Sequence, residues 1–377
     1  MKTTLTALAL AIGTLTGAAH ADVTVGVILS ATGPVATIGI PFRNTFAILP
    51  PTIGGQKVKY IILDDATDPT VAVKNARKLI TEDKVDVIIA TNSVPATTAV
   101  SDVSAELKTP HVAPSPISGA VSKNPWVFAT AQPISIMMST VIDDMKARGI
   151  KSVAYIGFND PWGDVVYAAA AAKAQPLGIK FVANERYARL DTSVTGQVLK
   201  VMATNPDAVL LGGSGTPGAL PHVALVERGY KGRIYHNHGV ISKEFIRVGG
   251  KGVEGALAPT GPVMVAQQLP DSNPIKKVAL EFTKAYEAKY GPGTANSFAA
   301  LAYDSYLLID RAVPAAMKKA QPGTPQFRQA LRDALEQVKD LSSTQAVFNM
   351  TPDDRSGVDQ RASVLVQVEK GQWVLAK

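Results

Sequence analysis

The 377-residue chain contains no cysteine, so disulfide bridges, a thiolate nucleophile and a lipid anchor on cysteine are all excluded. Charged residues are sparse, at 18%, and aromatic residues make up only 6%. The formal net charge is +7, but the basic residues are dispersed and no block of five or more occurs. The sequence therefore does not favour a nucleic-acid partner.

The chain begins with the three-part pattern of a signal peptide. Lys2 gives a short positive region, residues 5–18 are apolar, and residues 19–21 (AHA) form a small-x-small cleavage motif. The apolar stretch is shorter than the about 20 residues that a membrane-spanning helix needs. We therefore predict cleavage near Ala21 and export of a chain that starts at Asp22 into the periplasm.

The rest of the chain is larger than one hydrophobic core usually accommodates, and 46% of its residues are hydrophobic, which predicts two domains. Strand and helix patterns alternate along most of its length. The predicted strands are 23–29, 59–63, 85–90, 111–113, 152–157, 179–183, 207–212 and 233–236, and the predicted helices are 70–82, 96–107, 134–148, 163–175, 194–204 and 217–229. This alternation, which restarts after Pro133, predicts an α/β protein with two doubly wound parallel sheets.

The last third departs from the alternation. A strand is predicted at 254–259, and a hairpin at 363–368 and 372–375. Between them lie three predicted helices, 274–290, 294–313 and 325–339. The pattern does not say which of the two sheets these helices cover.

Ligands of doubly wound sheets bind at the carboxyl ends of the strands, where this chain places hydroxyl groups and glycines at predicted helix starts. Backbone N–H groups at such starts suit a carboxylate, although ordinary helix capping explains the same residues. Trp162 stands out, because the turn Asp160-Pro161-Trp162-Gly163 leaves a large aromatic at a strand end. It either stacks on a ligand or packs the loop.

Other chemical signals are weak. Gly213, Gly215 and Gly218 match the dinucleotide pattern G-x-G-x-x-G, but late in the chain and without an acidic residue about 20 positions on. His236 and His238 share a strand face, yet no third metal ligand is near in sequence. We therefore predict a protein that is not an enzyme and that has no catalytic residues, no cofactor and no metal.

Six ordered motifs give the chain a family resemblance. It resembles the leucine/isoleucine/valine-type (branched-chain amino acid) solute-binding proteins of ABC importers, which have the type I periplasmic-binding-protein fold. The motifs are GVILSATGPVATIG (26–39), LDDATDPTVAVKNARKLITEDKVDVIIA (63–90), PHVAPSP (110–116), YIGFNDPWGDVVY (155–167), GALAP (255–259) and AYDSYLLID (302–310).

The resemblance implies two doubly wound lobes joined by three hinge crossings, near 130–133, 259–262 and 346–350. Lobe I is then 22–131 plus 261–347, and lobe II is 132–260 plus 348–377, with the late helices on lobe I and the final hairpin on lobe II. A small carboxylate-bearing solute is expected in the cleft between the lobes, and an ABC permease is expected as the membrane partner.

The resemblance also implies ten ligand-binding residues. Six of them are in the first lobe: four match the family's ligand loops, Ile38 matches a position where relatives often have an aromatic wall, and Tyr303 matches an aromatic of the late helix. The hydroxyl and amide groups of the loops would hold the ligand carboxylate. The ten are Ile38, Ser93, Pro95, Ser115, Ile117 and Tyr303, together with Trp162, Ser214, Thr216 and His238.

One departure from the family leaves the identity of the ligand undecided. Residues 236–239 (HNHG) lack the carboxylate that meets the ligand ammonium in amino-acid-binding relatives, and Trp162 stands where tyrosine is usual. The expected ligand is therefore a branched-chain amino acid or, alternatively, an aromatic or other non-amino carboxylate. Asp160, two residues before Trp162, could supply the missing carboxylate, which keeps an amino acid among the candidate ligands. A ligand-sensing receptor module is the remote alternative.

Overall fold

The structure, a computed structural model, describes residues 22–376, so the predicted signal peptide lies outside the described residues. Fifteen strands and twelve α-helices are numbered here along the chain. The strands are β1 (Val23–Leu29), β2 (Thr52–Ile53), β3 (Gln56–Asp64), β4 (Val87–Ala90), β5 (His111–Ala113), β6 (Val127–Ala129), β7 (Ser152–Phe158), β8 (Lys180–Tyr187), β9 (Ala208–Gly212), β10 (Arg233–His236), β11 (Leu257–Thr260), β12 (Leu341–Ser342), β13 (Val347–Phe348), β14 (Val364–Glu369) and β15 (Gln372–Leu375).

The nine predicted helices are present, with bounds that differ by a few residues, together with three further helices. The helices are α1 (Ala36–Thr45), α2 (Pro69–Thr81), α3 (Val94–Glu106), α4 (Gly119–Lys123), α5 (Ile134–Ala147), α6 (Pro161–Ala174), α7 (Thr195–Ala203), α8 (Ala219–Glu227), α9 (Lys243–Gly249), α10 (Pro274–Tyr290), α11 (Ser297–Met317) and α12 (Pro325–Glu336). The three that were not predicted are α1, α4 and α9. Among residues 22–376 we find no helix with the length and apolarity that crossing a bilayer requires.

Two sheets dominated by parallel strands organise the molecule, which confirms the predicted α/β fold class. The first sheet has the order β2-β3-β1-β4-β5-β6, and the second β15-β14-β11-β10-β9-β7-β8. Only the edge pairs β2/β3, β11/β14 and β14/β15 are antiparallel in these sheets. The central strands β1, β4 and β9 are buried along nearly their whole length, as expected for strands covered by helices on both faces.

The late helices pack on the unit built around the first sheet. Helix α11 lies against α1, where the Thr45 hydroxyl donates to the carbonyl of Ala299 (2.9 Å), and it also packs on α12. Helix α12 reaches the strand ends through Arg332, which donates to the carbonyl of Pro125 (2.9 Å). The final hairpin β14–β15 instead extends the second sheet beside β11.

The chain passes between the two units three times, and the passages lie side by side. Gln132 and Gly261 mark the first two, and a Cβ added at Gly261 would overlap the Gln132 side chain. The Gln132 amide also donates to the carbonyl of Ala362 (3.2 Å), just after the third passage. Gln345, which the same Cβ would overlap, packs beside them from the first unit. The Gln345 amide donates to the carbonyl of Ser297 (3.1 Å). Nearby, the buried Asp304 of α11 accepts hydrogen bonds from the backbone N–H and the hydroxyl of Thr344, both at 2.8 Å.

The segment that follows β13 stays with the first unit as far as residue 355. Arg355 still belongs to the first unit, since its carbonyl accepts from the N–H of Ala129 (2.9 Å) and its guanidinium pairs with Glu336 (2.5 Å). Gln360 already contacts the second unit, where its amide donates to Thr140 on α5 (2.9 Å). The chain therefore crosses between residues 355 and 360.

Candidate functional site

A narrow cleft lies where the carboxyl ends of the two sheets face each other. Its free volume is small, about 40 Å³. The loops that follow β1, β4, β5 and β6 form one rim, the loops that follow β7 to β10 form the other, and the start of α11 closes one side. The lining residues are Val35, Ile38, Asn92, Ser93, Val94, Pro114, Ser115, Pro116, Ala131, Phe298 and Leu301, opposite Trp162, Arg189, Ser214, His238 and Gly239.

Of the ten predicted ligand-binding residues, the structure brings six together in this cleft: Ile38, Ser93, Ser115, Trp162, Ser214 and His238. The other four are not among the lining residues. Pro95 is the second residue of α3, Ile117 follows the lining turn 114–116, and Thr216 begins a short 3-10 turn. Tyr303 packs on Phe282, with ring centroids 5.4 Å apart, because it lies on the face of α11 that meets α10.

The first rim consists of hydroxyl and amide groups at the start of α3. The Ser115 hydroxyl lies 2.7 Å from that of Thr97, which in turn lies 3.2 Å from that of Thr91. Ser93 is the N-cap residue, but its side chain makes no capping bond. Asn92 is 8% exposed, and neither amide atom has a partner within residues 22–376. A helix start with unpaired polar groups suits an anion.

Trp162 on the second rim is held by a helix cap. Asp160 accepts hydrogen bonds from the backbone N–H groups of Trp162 (2.9 Å) and Gly163 (3.2 Å), which starts α6 and fixes the indole in the cleft. The indole is 5% exposed and packs edge-on against His238, with ring centroids 5.4 Å apart. Its Nε1–H donor has no acceptor within the described part of the chain.

Arg189 is a cleft residue that the sequence patterns did not reveal. Its Nε donates to Asp160 (2.5 Å) and its Nη1 to the hydroxyl of Ser214 (3.3 Å). Its guanidinium carbon lies 4.4 Å from the ring centroid of Phe158, a cation–π contact. The one sequence signal that could have indicated Arg189 as a cleft residue is its position just after β8, at the same sheet edge as the other loops. Only its long-range pair with Asp160 turns it toward the cleft.

Asp160 is hydrogen-bonded within the second rim and does not line the cleft. Its Oδ1 accepts the two cap N–H groups and its Oδ2 accepts from Arg189, so both oxygens are engaged within the rim. Asp160 is not among the residues that line the cleft, and no lining residue is acidic. The cleft therefore presents one cation, Arg189, and no carboxylate for a ligand ammonium.

The histidines of the HNHG loop are divided between core and cleft. His236 hydrogen-bonds to His222 (2.8 Å), and their rings stack in the core of the second unit. His238 lines the cleft, and burial lowers its pKa to about 4, so it is neutral at pH 7. Among residues 22–376, no group of three or more His, Cys, Asp or Glu residues is placed to hold a metal ion.

One glycine of the G-x-G-x-x-G match, Gly215, serves close packing between the units. Gly215 has φ +60°, a conformation that favours glycine, and a Cβ there would lie 3.0 Å from the carbonyl oxygen of Pro34. Its N–H donates to the carbonyl of Gly239 (2.8 Å). Gly215 therefore lets the two rims approach each other beside the cleft.

Comparison with known proteins agrees with this architecture. A family model described as periplasmic binding protein matches residues 22–372. An extracellular ligand-binding receptor from Rhodopseudomonas palustris HaA2 superposes with a TM-score of 0.92 at 45% sequence identity, covering 95% of this chain and all of the other. The Leu/Ile/Val-binding protein BraC3 of Rhizobium johnstonii is 25% identical over 95% of both chains. A leucine-binding protein from Thermotoga maritima, at 22% identity, shares the fold with a TM-score of 0.81 over 94% of this chain and 98% of the other.

Proposed function

The chain belongs to the periplasmic binding protein family, and on this premise we propose that it is the solute-binding component of an ABC importer. In this proposal it works in the periplasm after removal of the signal peptide, binds a small carboxylate-bearing solute between its lobes and delivers that solute to a membrane permease. The name of the Leu/Ile/Val-binding relative supports a solute of the branched-chain amino acid class.

One observation carries the proposal: both rims of one cleft present buried polar groups without protein partners. Asn92 supplies them on the first rim, and Trp162 and His238 supply them on the second. A buried polar group without a partner costs about 1–3 kcal/mol, which a ligand contacting both rims offsets. Such a ligand stabilises the closed arrangement because it gains its full set of contacts only there.

The two lobes are the moving parts in this proposal. Lobe I comprises residues 22–131 with 261–347 and continues to about residue 355, and lobe II comprises 132–260 with the remaining C-terminal segment. The side-by-side passages at Gln132, at Gly261 and at residues 355–360 then act as the hinge. A cleft of only about 40 Å³ requires the lobes to separate before a solute enters.

The proposed carboxylate site is the start of α3. The helix dipole, the Ser93 and Ser115 hydroxyls and the Asn92 amide all favour an anion there. Apolar side chains, including Ile38, Phe298 and Leu301, form the wall for the hydrocarbon part of the solute. A non-amino carboxylate, aromatic or aliphatic, is the second candidate, because no acidic residue lines the cleft to pair with an ammonium.

A thermal-shift screen of refolded, ligand-stripped protein tests the proposal. The screen compares leucine, isoleucine and valine with benzoate and aliphatic carboxylates. At 100 times its Kd, a ligand adds about 2.7 kcal/mol to the free energy of unfolding and raises Tm by several degrees. We expect at least one carboxylate to do so.

A matched pair of variants then locates the site. Ser115→Ala removes a cleft hydroxyl and is expected to weaken binding about tenfold. Ser122→Ala removes a hydroxyl that bonds the carbonyl of Gly119, away from the lining residues, and is expected to leave binding unchanged. No shift with any carboxylate, or equal losses in the two variants, would refute the carboxylate site.

A further inference from the structure

The second rim of the cleft offers donors where an amino acid would need an acceptor. Trp162 carries a buried Nε1–H without an acceptor within residues 22–376. Arg189 has five N–H donors, of which the bonds to Asp160 and Ser214 account for two. An ammonium brought to this rim would meet an indole N–H and a guanidinium, and both oxygens of Asp160 already accept hydrogen bonds within the rim. The other acceptors on this rim, the neutral His238 ring and the Ser214 hydroxyl, carry no negative charge to pair with an ammonium.

The first rim fixes which end of the solute faces these donors. The proposed carboxylate site at Asn92, Ser93 and Ser115 lies across the cleft from Trp162 and Arg189. In so narrow a cleft, a solute held by its carboxylate at the first rim presents to the second rim first the polar group on the neighbouring carbon. That neighbouring carbon is carbon 2 of the solute.

We infer that the solute bears an oxygen acceptor on carbon 2, in place of an ammonium, and that its class is the 2-oxo carboxylates with an apolar side chain. The 2-oxo oxygen accepts from Trp162 and Arg189, and the side chain lies along Ile38, Phe298 and Leu301. This inference rests on the proposed solute-binding function. It assigns to Arg189 and Trp162 the discrimination between an oxo and an amino group.

Matched ligands that differ only at carbon 2 test the inference. Isothermal titration of ligand-stripped protein compares 4-methyl-2-oxopentanoate, leucine and 4-methylpentanoate, and in parallel phenylpyruvate, phenylalanine and 3-phenylpropanoate. In at least one series we expect the oxo acid to bind about tenfold tighter than the plain acid, and the amino acid to bind weakest.

Two variants connect the preference to the named residues. Trp162→Phe keeps an aromatic ring but removes the N–H donor, and it is expected to weaken the oxo acid about tenfold more than it weakens the plain acid. Trp126→Phe, in a tryptophan outside the cleft lining, is the matched control. The double variant Asp160→Asn/Arg189→Gln removes the ion pair without leaving a lone charge, and asparagine still caps α6. It is expected to abolish the preference for the oxo acid.

The outcomes separate this inference from the function on which it rests. Leucine or phenylalanine binding as tightly as its oxo acid, or a plain acid doing so, would overturn the inference and leave the carboxylate site standing. A preference for the oxo acid that survives both variants would also overturn the assignment to Trp162 and Arg189. Failure of all six ligands and of every other carboxylate in the thermal-shift screen would remove the proposed function itself.

Discussion

Replacement of Asp304 by asparagine is expected to stabilise the protein at alkaline pH, although it removes a hydrogen-bonded carboxylate. Burial raises the pKa of Asp304 to about 7, because its hydrogen bonds to Thr344 do not offset the loss of water. One carboxylate oxygen, Oδ1, accepts both Thr344 bonds, and Oδ2 has no partner within residues 22–376. An asparagine retains an oxygen for Thr344 and carries no charge.

The direction in which the free energy of unfolding changes with pH depends on how many protons the folded and unfolded states bind. Between the ordinary pKa of 3.8 and the folded value of about 7, the folded state holds the Asp304 proton and the unfolded state has released it. The free energy of unfolding therefore falls as pH rises through this window and loses about 4 kcal/mol in total, at about 1.4 kcal/mol per pH unit. Asp304→Asn removes this loss.

Thermal unfolding from pH 4 to pH 8 measures the effect. We expect the Tm of Asp304→Asn to exceed that of the wild type by several degrees at pH 8 and to converge with it near pH 4. Asp102→Asn, in an exposed carboxylate on α3, is the control and should follow the wild type at every pH. A variant that is less stable than the wild type at pH 8, or equally displaced at all pH values, would refute the reasoning.

Three further changes test other parts of the structure. Gly215→Ala places a Cβ 3.0 Å from the carbonyl oxygen of Pro34, which hinders the approach of the two rims, so we expect ligand affinity to fall at least tenfold. Gly178→Ala, at a similar φ of +72° but with open space around its Cβ, is the control. Equal affinities in the two variants would contradict the argument. Burial lowers the pKa of His222 to about 4, so stability from this group is lost as pH falls from 6.5 to 4. His222→Asn should therefore flatten the acid limb of Tm against pH, whereas parallel curves would show that His222 contributes nothing there. Trp162→Ala should cost about 2–3 kcal/mol of binding, if about 100 Å² of ring surface covers the ligand, with calorimetry as the measurement.

Much of the architecture follows from local pattern, because alternating apolar strands and amphipathic helices are encoded within a few residues of each other. Strand β1 has the predicted bounds, and α10 has the predicted bounds as well. Helix α1 was not predicted, since Pro41 lies inside it and interrupts the helical pattern. The position of the third passage depends on the ion pair of Arg355 with Glu336, which joins residues of separate elements and has no local signature.

The candidate site divides in the same way. Ser93, Ser115 and Trp162 each follow a strand, and the carboxyl ends of parallel strands share one edge, so the local pattern predicts that they lie close together. The binding roles of Ser93 and Ser115 were implied by the family resemblance. Arg189 also follows a strand, but its role depends on Asp160, 29 residues away, which holds the guanidinium at the rim. Whether the aromatic ring of Tyr303 faces the cleft or α10 depends on how α11 is rotated against its neighbours, and no spacing along the chain encodes that rotation.

The interleaved course of the chain has a consequence for biosynthesis. The second sheet begins at β7 but gains its outer strands β14 and β15 only from residues 364–375. The first unit likewise waits for α11, whose Ala299 bonds Thr45 across 254 residues. Neither unit is complete on a nascent chain until nearly all of it has been translated, so a fragment that stops after β11 should lack the cover of one sheet and the edge of the other. The order of synthesis is therefore not the order of folding.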